Sequence, residues 1–472
     1  MKRLVVLALV IVSLLYAGSV YAVDINFEGD FRVRAIYSDN LSDANDGVDD
    51  QEAFADGRFR LKTTFTAGLT SAVVIVDFTN SFNDPNNALC PAPTDTGAAP
   101  FCGTGNFRFG TSSLGGSFNI VGVRSAYLKF DFEPLKVVFG RKQFLLGHGL
   151  VLDDTVDSVA GKLIVGPMRV ILVDAKLVDT DAGNAFFSGN TGTGGDTNLY
   201  ILNIGINHGE EHAIGLFATY MNDRNNSLLA PAVGEGLLVL GLPIGPGLPG
   251  DAALLTIGLT ADGSIGPING VFEVDFLDGT IKRTGNPDID LEGFNLLVGA
   301  GVPVGPANID LTFLFTTGED SGPDKNVNGI SGNFVLGNIL INDNINSDRD
   351  GQCASVMAAG LLSGRIGTGS PSCIGGLGIT AIKLTASLPG FVIENGHTEL
   401  AVIYAEASED PAPGADNDLG FEIDLNHHHK LDDNLSISAN LGYLASGDIF
   451  KSLSNPNPDD MYKGILSVNY RF

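Results

Sequence analysis

Apolar and polar residues alternate along most of this chain. In the first such segment Ile25, Phe27, Gly29, Phe31, Val33, Ala35 and Tyr37 share one parity, and Asn26, Glu28, Asp30, Arg32 and Arg34 share the other. A period of two is that of a β-strand, whose successive side chains point to opposite faces. The pattern returns in Tyr200, Leu202, Ile204 and Ile206 and, after a turn at His208-Gly209-Glu210, in Ile214, Leu216, Ala218 and Tyr220. Phe421, Ile423 and Leu425 alternate with Glu422, Asp424 and Asn426, and beyond a turn Leu435, Ile437, Ala439, Leu441 and Tyr443 share one face. Several segments reach the roughly nine to eleven residues that a tilted strand needs to cross a bilayer. The most apolar later stretch, Leu237 to Leu259, is interrupted by Pro243, Pro246 and Pro249 and does not read as a spanning helix.

Following the alternation gives about 18 strands. The segments Lys136–Phe144 and Ser158–Val165 carry apolar residues on both faces and are the least distinct. The connections alternate in length. Ser38–Gln51, Ser81–Ser117, Asp179–Asp196, Asn222–Asp251 and Glu319–Gly376 are long, whereas Ala67–Ser71, Glu133–Pro134, Gly166–Met168 and His208–Glu210 are short. Long loops on one side and short turns on the other, with an even strand count, are the marks of an outer-membrane barrel. The expected fold is therefore all-β, a transmembrane antiparallel β-barrel with long extracellular loops and short periplasmic turns. At the end, Tyr462, Leu466, Val468, Tyr470 and Phe472 alternate with Lys463, Ser467, Asn469 and Arg471. A terminal aromatic on such a strand resembles the signal read by the barrel assembly machinery, an implied partner.

The N-terminus changes the picture of where the chain goes. Lys2 and Arg3 precede an apolar run, Leu4 to Leu15, and Val20-Tyr21-Ala22 offers small residues for cleavage after Ala22. Residues 1–22 read as a signal peptide and 23–472 as a single barrel domain. The signal holds two bases and no acid, so 27 bases and 55 acids become 25 and 55, a net charge of −30. That balance excludes nucleic acid as a partner, because binding there depends on cationic groups that displace counterions. It suits divalent cations at acidic loops, including those that bridge lipopolysaccharide, and the remaining expected surroundings are outer-membrane lipid. The four cysteines fall into close pairs, Cys90 with Cys102 and Cys353 with Cys373, both inside long connections. Two local disulfides are expected in an exported chain.

The register assigns a polar lumen face. Arg32, Arg34, Arg58, Arg60 and Lys62 come from neighbouring early strands, and Glu273, Asp275, Asp310, Glu399, Glu422 and Asp424 from later ones. These are the candidate pore-lining residues. Either opposite walls of opposite sign set a transverse field across the pore, or the charges pair across adjacent strands and fill the lumen with a polar network.

The carboxyl end, with Phe421-Glu422-Ile423-Asp424-Leu425, Leu431-Asp432-Asp433-Asn434-Leu435, Leu441-Gly442-Tyr443 and Ser446-Gly447-Asp448, resembles the alginate export porin family and, more loosely, other bacterial porins. Ala126-Tyr127-Leu128 with Phe139-Gly140-Arg141-Lys142-Gln143 is similar to that family's Gly-Arg-Gln element with Lys142 inserted, and Thr317-Gly318-Glu319-Asp320 to a strand-exit motif. The resemblance covers about a quarter of the chain and implies a large monomeric barrel passing polar or anionic solutes. The excess of acids departs from the basic interior of the family's alginate channel.

Other candidate chemistry adds little. Asn346-Ser347-Asp348-Arg349-Asp350-Gly351 resembles half a calcium loop, but Met357 stands where the closing Glu belongs. Of His427-His428-His429 at most His427 and His429 share a face, which suits a membrane boundary better than a metal. No Walker A loop, G-x-S-x-G elbow, HExxH or dinucleotide fingerprint is present, so neither an enzyme nor a cofactor is expected. The expected function is a channel for passive diffusion of small polar or charged solutes. The alternatives are a non-conducting barrel acting as scaffold, sheath or adhesin, and an outer-membrane barrel enzyme.

Overall fold

Each alternating segment becomes one long strand hydrogen-bonded to its neighbours in the chain. The structure, a computed structural model, describes residues 23–41, 51–82, 120–178, 197–208, 212–223, 251–282, 288–318, 325–326, 335–340, 378–391, 393, 395–409, 416–451 and 458–472. The signal-like residues 1–22, both cysteine pairs and the run 346–351 lie outside the described residues. The first nine strands are β1 (Asp24–Asp39), β2 (Glu52–Ala67), β3 (Thr70–Phe82), β4 (Ile120–Asp131), β5 (Leu135–Leu146), β6 (Leu152–Val165), β7 (Met168–Val178), β8 (Thr197–His208) and β9 (His212–Asp223). They continue with β10 (Ala252–Ile265), β11 (Ile268–Ile281), β12 (Ile289–Val304), β13 (Ala307–Thr316), the two-residue β14 (Lys325–Asn326), β15 (Ile379–Pro389), β16 (Gly396–Glu406), β17 (Asp418–Lys430), β18 (Leu435–Ser446) and β19 (Met461–Arg471). Each long strand pairs antiparallel with the next, β13 pairs directly with β15, and β19 returns to β1. Leaving aside β14, which lies parallel to β12, the wall is a closed ring of 18 antiparallel strands, the expected architecture. The two indistinct segments of the sequence are β5 and β6.

The short connections lie at one end, together with the start of β1 and the end of β19. Three of them are two-residue Gly-Pro turns, Gly166-Pro167, Gly266-Pro267 and Gly305-Pro306, with glycine φ of 56°, 63° and 61°. That left-handed conformation is open to glycine at little cost and suits the twist of a tight hairpin.

The two faces of the wall sort by parity. On β1, Ile25, Phe27, Phe31 and Tyr37 are exposed while Arg34, Ile36 and Ser38 are buried. On β19, Tyr462, Leu466, Val468 and Tyr470 are exposed while Lys463, Ile465 and Ser467 are buried. Leu172, Phe276, Leu400 and Leu425 extend the exposed apolar belt around the ring. A strand of about 12 residues tilted by about 40° rises roughly 30 Å, enough for the apolar band of such a barrel, about 25 Å tall. No described helix is long and apolar enough to cross a membrane.

The barrel closes on its last residue. Gly29 N–H donates to the Phe472 carbonyl at 2.8 Å, and Phe472 N–H donates to the Gly29 carbonyl at 3.0 Å. The Phe472 ring lies over Gly29, where a Cβ would come within 2.1 Å of it, and stacks with Phe59 at 6.4 Å. An aromatic ring laid on a strand glycine seals the seam between first and last strands.

The interior is not an open tube. The β4–β5 ladder runs only from Ala126–Arg141 to Asp131–Lys136. Its last two pairs are Tyr127–Gly140 and Ala126–Arg141, and Gly140 has a φ of 117° and a Cβ position 2.3 Å from the Ala126 carbonyl. Above that point the β5–β6 hairpin turns inward. Leu146, Val151 and Leu152 join a buried cluster with Phe217, Leu254, Leu277 and Leu291 of β9 to β12. A second segment, Val335–Leu340 from the long connection after β13, also lies inside. Leu336, Ile339 and Leu340 are buried with Leu314, Ile403, Leu419, Leu444 and Met461 of the later strands, and Leu150 of the β5–β6 connection belongs to the same cluster.

Candidate solute pathway

The early strands carry a ladder of ion pairs on their inner face. Arg34 of β1 is buried against Asp56 of β2, with Nε 2.8 Å from Oδ1. Arg58 meets Asp30 at 2.8 Å, Arg60 meets Asp77 of β3 at 2.6 Å, and Lys62 meets Glu28 at 2.9 Å. Arg32 lies on the same face between Asp30 and Arg34. These five bases are thus placed together, each step of the ladder joining strands that are neighbours in sequence.

A second basic group lies on β4 to β7, and the sequence reasoning missed it. Lys142 and Lys162 both sit in the field of Lys129, and Lys162 also in the fields of Lys136 and Arg169. Asp131 is the acid among them, 2.8 Å from Lys136 and 3.4 Å from Lys129. Among the described residues Lys142, Lys162 and Arg169 have no carboxylate partner. Lys142 lies over the Tyr127 and Phe144 rings, at 5.9 and 5.7 Å, where the negative ring faces hold the ammonium. The signal available in the sequence was the insertion of Lys142 in the Gly-Arg-Gln element. It was obscured because β5 and β6 bury apolar residues on their inner face as well, against the inserted hairpin.

The later acids are used differently. Glu273 and Asp275 of β11 and Glu422 of β17 have no exposed surface, and Asp424 has almost none. Glu273 receives the backbone N–H of His148 at 2.6 Å and approaches His148 Nδ1 at 2.8 Å, while Nε2 lies 2.8 Å from Asp262 of β10. The two carboxylates, Glu273 first, hold the His148 ring charged to about pH 9 against the opposing effect of its burial. Asp275 accepts from the Asn295 amide at 3.4 Å. Glu422 receives the N–H groups of Ile339 and Leu340 at 2.7 and 2.8 Å, and Asp424 that of Asn338 at 3.1 Å. Lys383 donates to the Leu336 carbonyl at 2.5 Å. Three of these carboxylates, Glu273, Glu422 and Asp424, therefore anchor the two inserted segments. Asp310 folds over Gly301 on β12, and Glu399 accepts from Ser387 at 3.4 Å and pairs with His397 at 3.0 Å in a more open position.

Gly442 makes room for the second inserted segment. A Cβ there would lie 2.9 Å from that of Asn338. The Asn338 amide donates at 2.9 Å to both the Asn426 side chain and the Leu441 carbonyl. His427 and His429 stack at 6.4 Å on the outer face near the short-loop end, and His427 bonds Thr398 at 2.9 Å. The described residues hold no group of three His, Cys, Asp or Glu placed to bind a metal.

A closed wall of 18 strands, apolar outside and charged inside, narrowed by segments from the long-loop end, has close counterparts among solved structures. OccK9 (OpdG) of Pseudomonas aeruginosa superposes with a TM-score of 0.55 at 12% identity, over 95% of this chain and 98% of that one. The fold is that of the bacterial outer-membrane porins. OccAB1 of Acinetobacter baumannii gives 0.54 at 9% identity over 95% and 96%, and a BenF-like porin of Pseudomonas fluorescens 0.54 at 11% over 95% and 98%. No family model matches the chain, and no curated protein does. These structures support the wider resemblance to bacterial porins at the level of fold; the narrower one, to alginate export porins, finds no support among them. The carboxyl-terminal motifs behind it serve general barrel needs here, Gly442 clearing space for the inserted segment and the Leu431–Leu435 turn closing a hairpin.

Proposed function

We propose that this chain is an outer-membrane porin for passive diffusion of small solutes, and that it favours anions. The observation that carries the preference is the uneven availability of charge inside the barrel. In the inner-face group of β4 to β7, Lys129, Lys136, Lys142, Lys162 and Arg169 surround one acid, Asp131, whereas Glu273, Glu422 and Asp424 are covered and engaged by backbone N–H groups. A net −28 chain thus presents its free lumen charge as positive, and fixed charge in a narrow passage selects counter-charged solutes. The porin fold of the Occ and Opd structures supports a channel, and OpdK of Pseudomonas aeruginosa has been solved with vanillate, a carboxylate.

Charge reversal tests the reading. Lys142→Glu with Lys162→Glu is expected to move the reversal potential in a salt gradient from the anion toward the cation side. An unchanged reversal potential in a folded variant would show that this wall does not set selectivity. The second reading, a sealed barrel serving as scaffold, draws on the apolar packing of the inserted segments against β9 to β19. It requires that folded protein pass no current.

A further inference from the structure

Beneath the inserted segment, toward the short-loop end, lies a cavity of about 350 Å³ lined by Asn338, His397, Glu399, Asn426, His428, Ser438 and Asn440, with His427 at its edge. Six of these residues form a grid on three adjacent strands. His397 faces His428, which faces Ser438; one step up, Glu399 faces Asn426, which faces Asn440. All six lie on the inner face by the parity that puts Leu400, Leu425 and Leu441 outside. Asn338 roofs the grid through its bond to Asn426. His397 and Glu399 engage each other, and the Asn426 side-chain carbonyl accepts from Asn338, but among the described residues the side chains of His428, Ser438 and Asn440 have no hydrogen-bond partner.

We infer that this grid is a solute subsite on the inner side of the constriction, and that it takes a small polyhydroxylated solute, a sugar or polyol. The chemistry of the unpartnered groups decides the class. A hydroxyl, a carboxamide and a neutral imidazole each both donate and accept. A carboxylate solute offers acceptors alone and an ammonium donors alone, so either leaves half of each group's capacity unmatched. A hydroxyl matches both. Directly opposed residues on adjacent strands stand about 5 Å apart, so several hydroxyls of one small molecule are met at once. The lining contains no lysine, arginine or large apolar side chain, which disfavours an anionic or an apolar ligand. The volume is at the lower end of the range for small-molecule sites, about 300–1,000 Å³. β19 and β1 to β3 stand between the grid and the basic group of β4 to β7, so the subsite is separate from the anion-favouring wall.

The inference goes beyond the channel reading and is measured without current. Isothermal titration of the full, detergent-solubilised protein with D-glucose is expected to give saturable binding at one site. Ser438→Ala with Asn440→Ala, which removes two hydrogen-bonding groups, is expected to weaken it about tenfold or more. Leu425→Ala, on the outer face of β17, is expected to bind as the unaltered protein does. If the double variant does not fold, His428→Ala is expected to weaken binding several-fold. Absence of saturable binding, equal affinity in the variants, or tighter binding of acetate or methylammonium than of glucose would overturn the assignment. Current without glucose binding contradicts this inference alone, and glucose binding without current contradicts the channel alone.

Discussion

Replacing Glu422 by alanine is expected to release the inserted segment Val335–Leu340 from the wall. Leu336, Ile339 and Leu340 are 3%, 1% and 0% exposed. Burying three such side chains contributes about 5–9 kcal/mol at roughly 1.5–3 kcal/mol each. Ordering the six backbone residues costs about 6–12 kcal/mol at roughly 1–2 kcal/mol apiece. Apolar burial and chain entropy therefore nearly cancel, and the polar contacts decide whether the segment stays docked. Glu422 accepts two of them, at 2.7 and 2.8 Å. At about 0.5–1.5 kcal/mol for each bond, their loss removes roughly 1–3 kcal/mol. Even the lower value shifts the docked–undocked balance about fivefold, since about 1.4 kcal/mol is a factor of ten. Glu422→Gln keeps one acceptor but turns an amide N–H toward a backbone N–H, so it should fall between the two. The assay is single-channel conductance in a planar bilayer, with folding checked by the faster migration of unboiled protein in detergent gels. Larger, noisier current steps in Glu422→Ala are expected, with Glu422→Gln intermediate. Conductance equal to that of the unaltered protein would refute the claim that this carboxylate holds the segment in the passage.

Further outcomes follow from the same geometry. Gly442→Val places a side chain where Asn338 sits, 2.9 Å from its Cβ, and is expected to raise conductance as Glu422→Ala does while leaving the wall intact by circular dichroism. Gly29→Val drives the Phe472 ring from its seat and should lower both the yield of assembled barrel and its thermal midpoint, with Phe472→Ala milder because it leaves the seam hydrogen bonds in place. His148 rises from 6.5 to about 9 on folding, so its attachment to Glu273 and Asp262 stabilises fully below about pH 6.5 and is lost as pH climbs through about 9. A change of up to about 3 kcal/mol in anchoring of the β5–β6 hairpin corresponds to that rise. Conductance should therefore change near pH 9 and hold steady between pH 5 and 6.5, and His148→Gln should remove the alkaline step.

The wall was legible because a barrel strand obeys one rule over its whole length. Phe421 to Leu425 reads the same in sequence and in space, apolar out and acid in. Where the chain serves two packings at once the rule blurs. Val138, Leu146, Leu152, Val156 and Ala160 are apolar on the inner face because the β5–β6 hairpin folds into the lumen and needs an interior of its own. That second core hid the basic group of Lys129, Lys136, Lys142 and Lys162. The alternation also placed Glu422 and Asp424 on the inner face but could not show that a distant segment, eighty residues earlier, brings its N–H groups to them. Strand periodicity reports the face of a side chain, and long-range closure decides whether that face meets water or protein.

The central claim is that the barrel conducts and that its available lumen charge is positive. Its most direct test is the reversal potential of the purified, refolded protein in a planar bilayer under a tenfold potassium chloride gradient. The account predicts stable current steps and a potential displaced toward the chloride equilibrium value. A potential displaced toward the potassium value, or folded protein that passes no current, would contradict it.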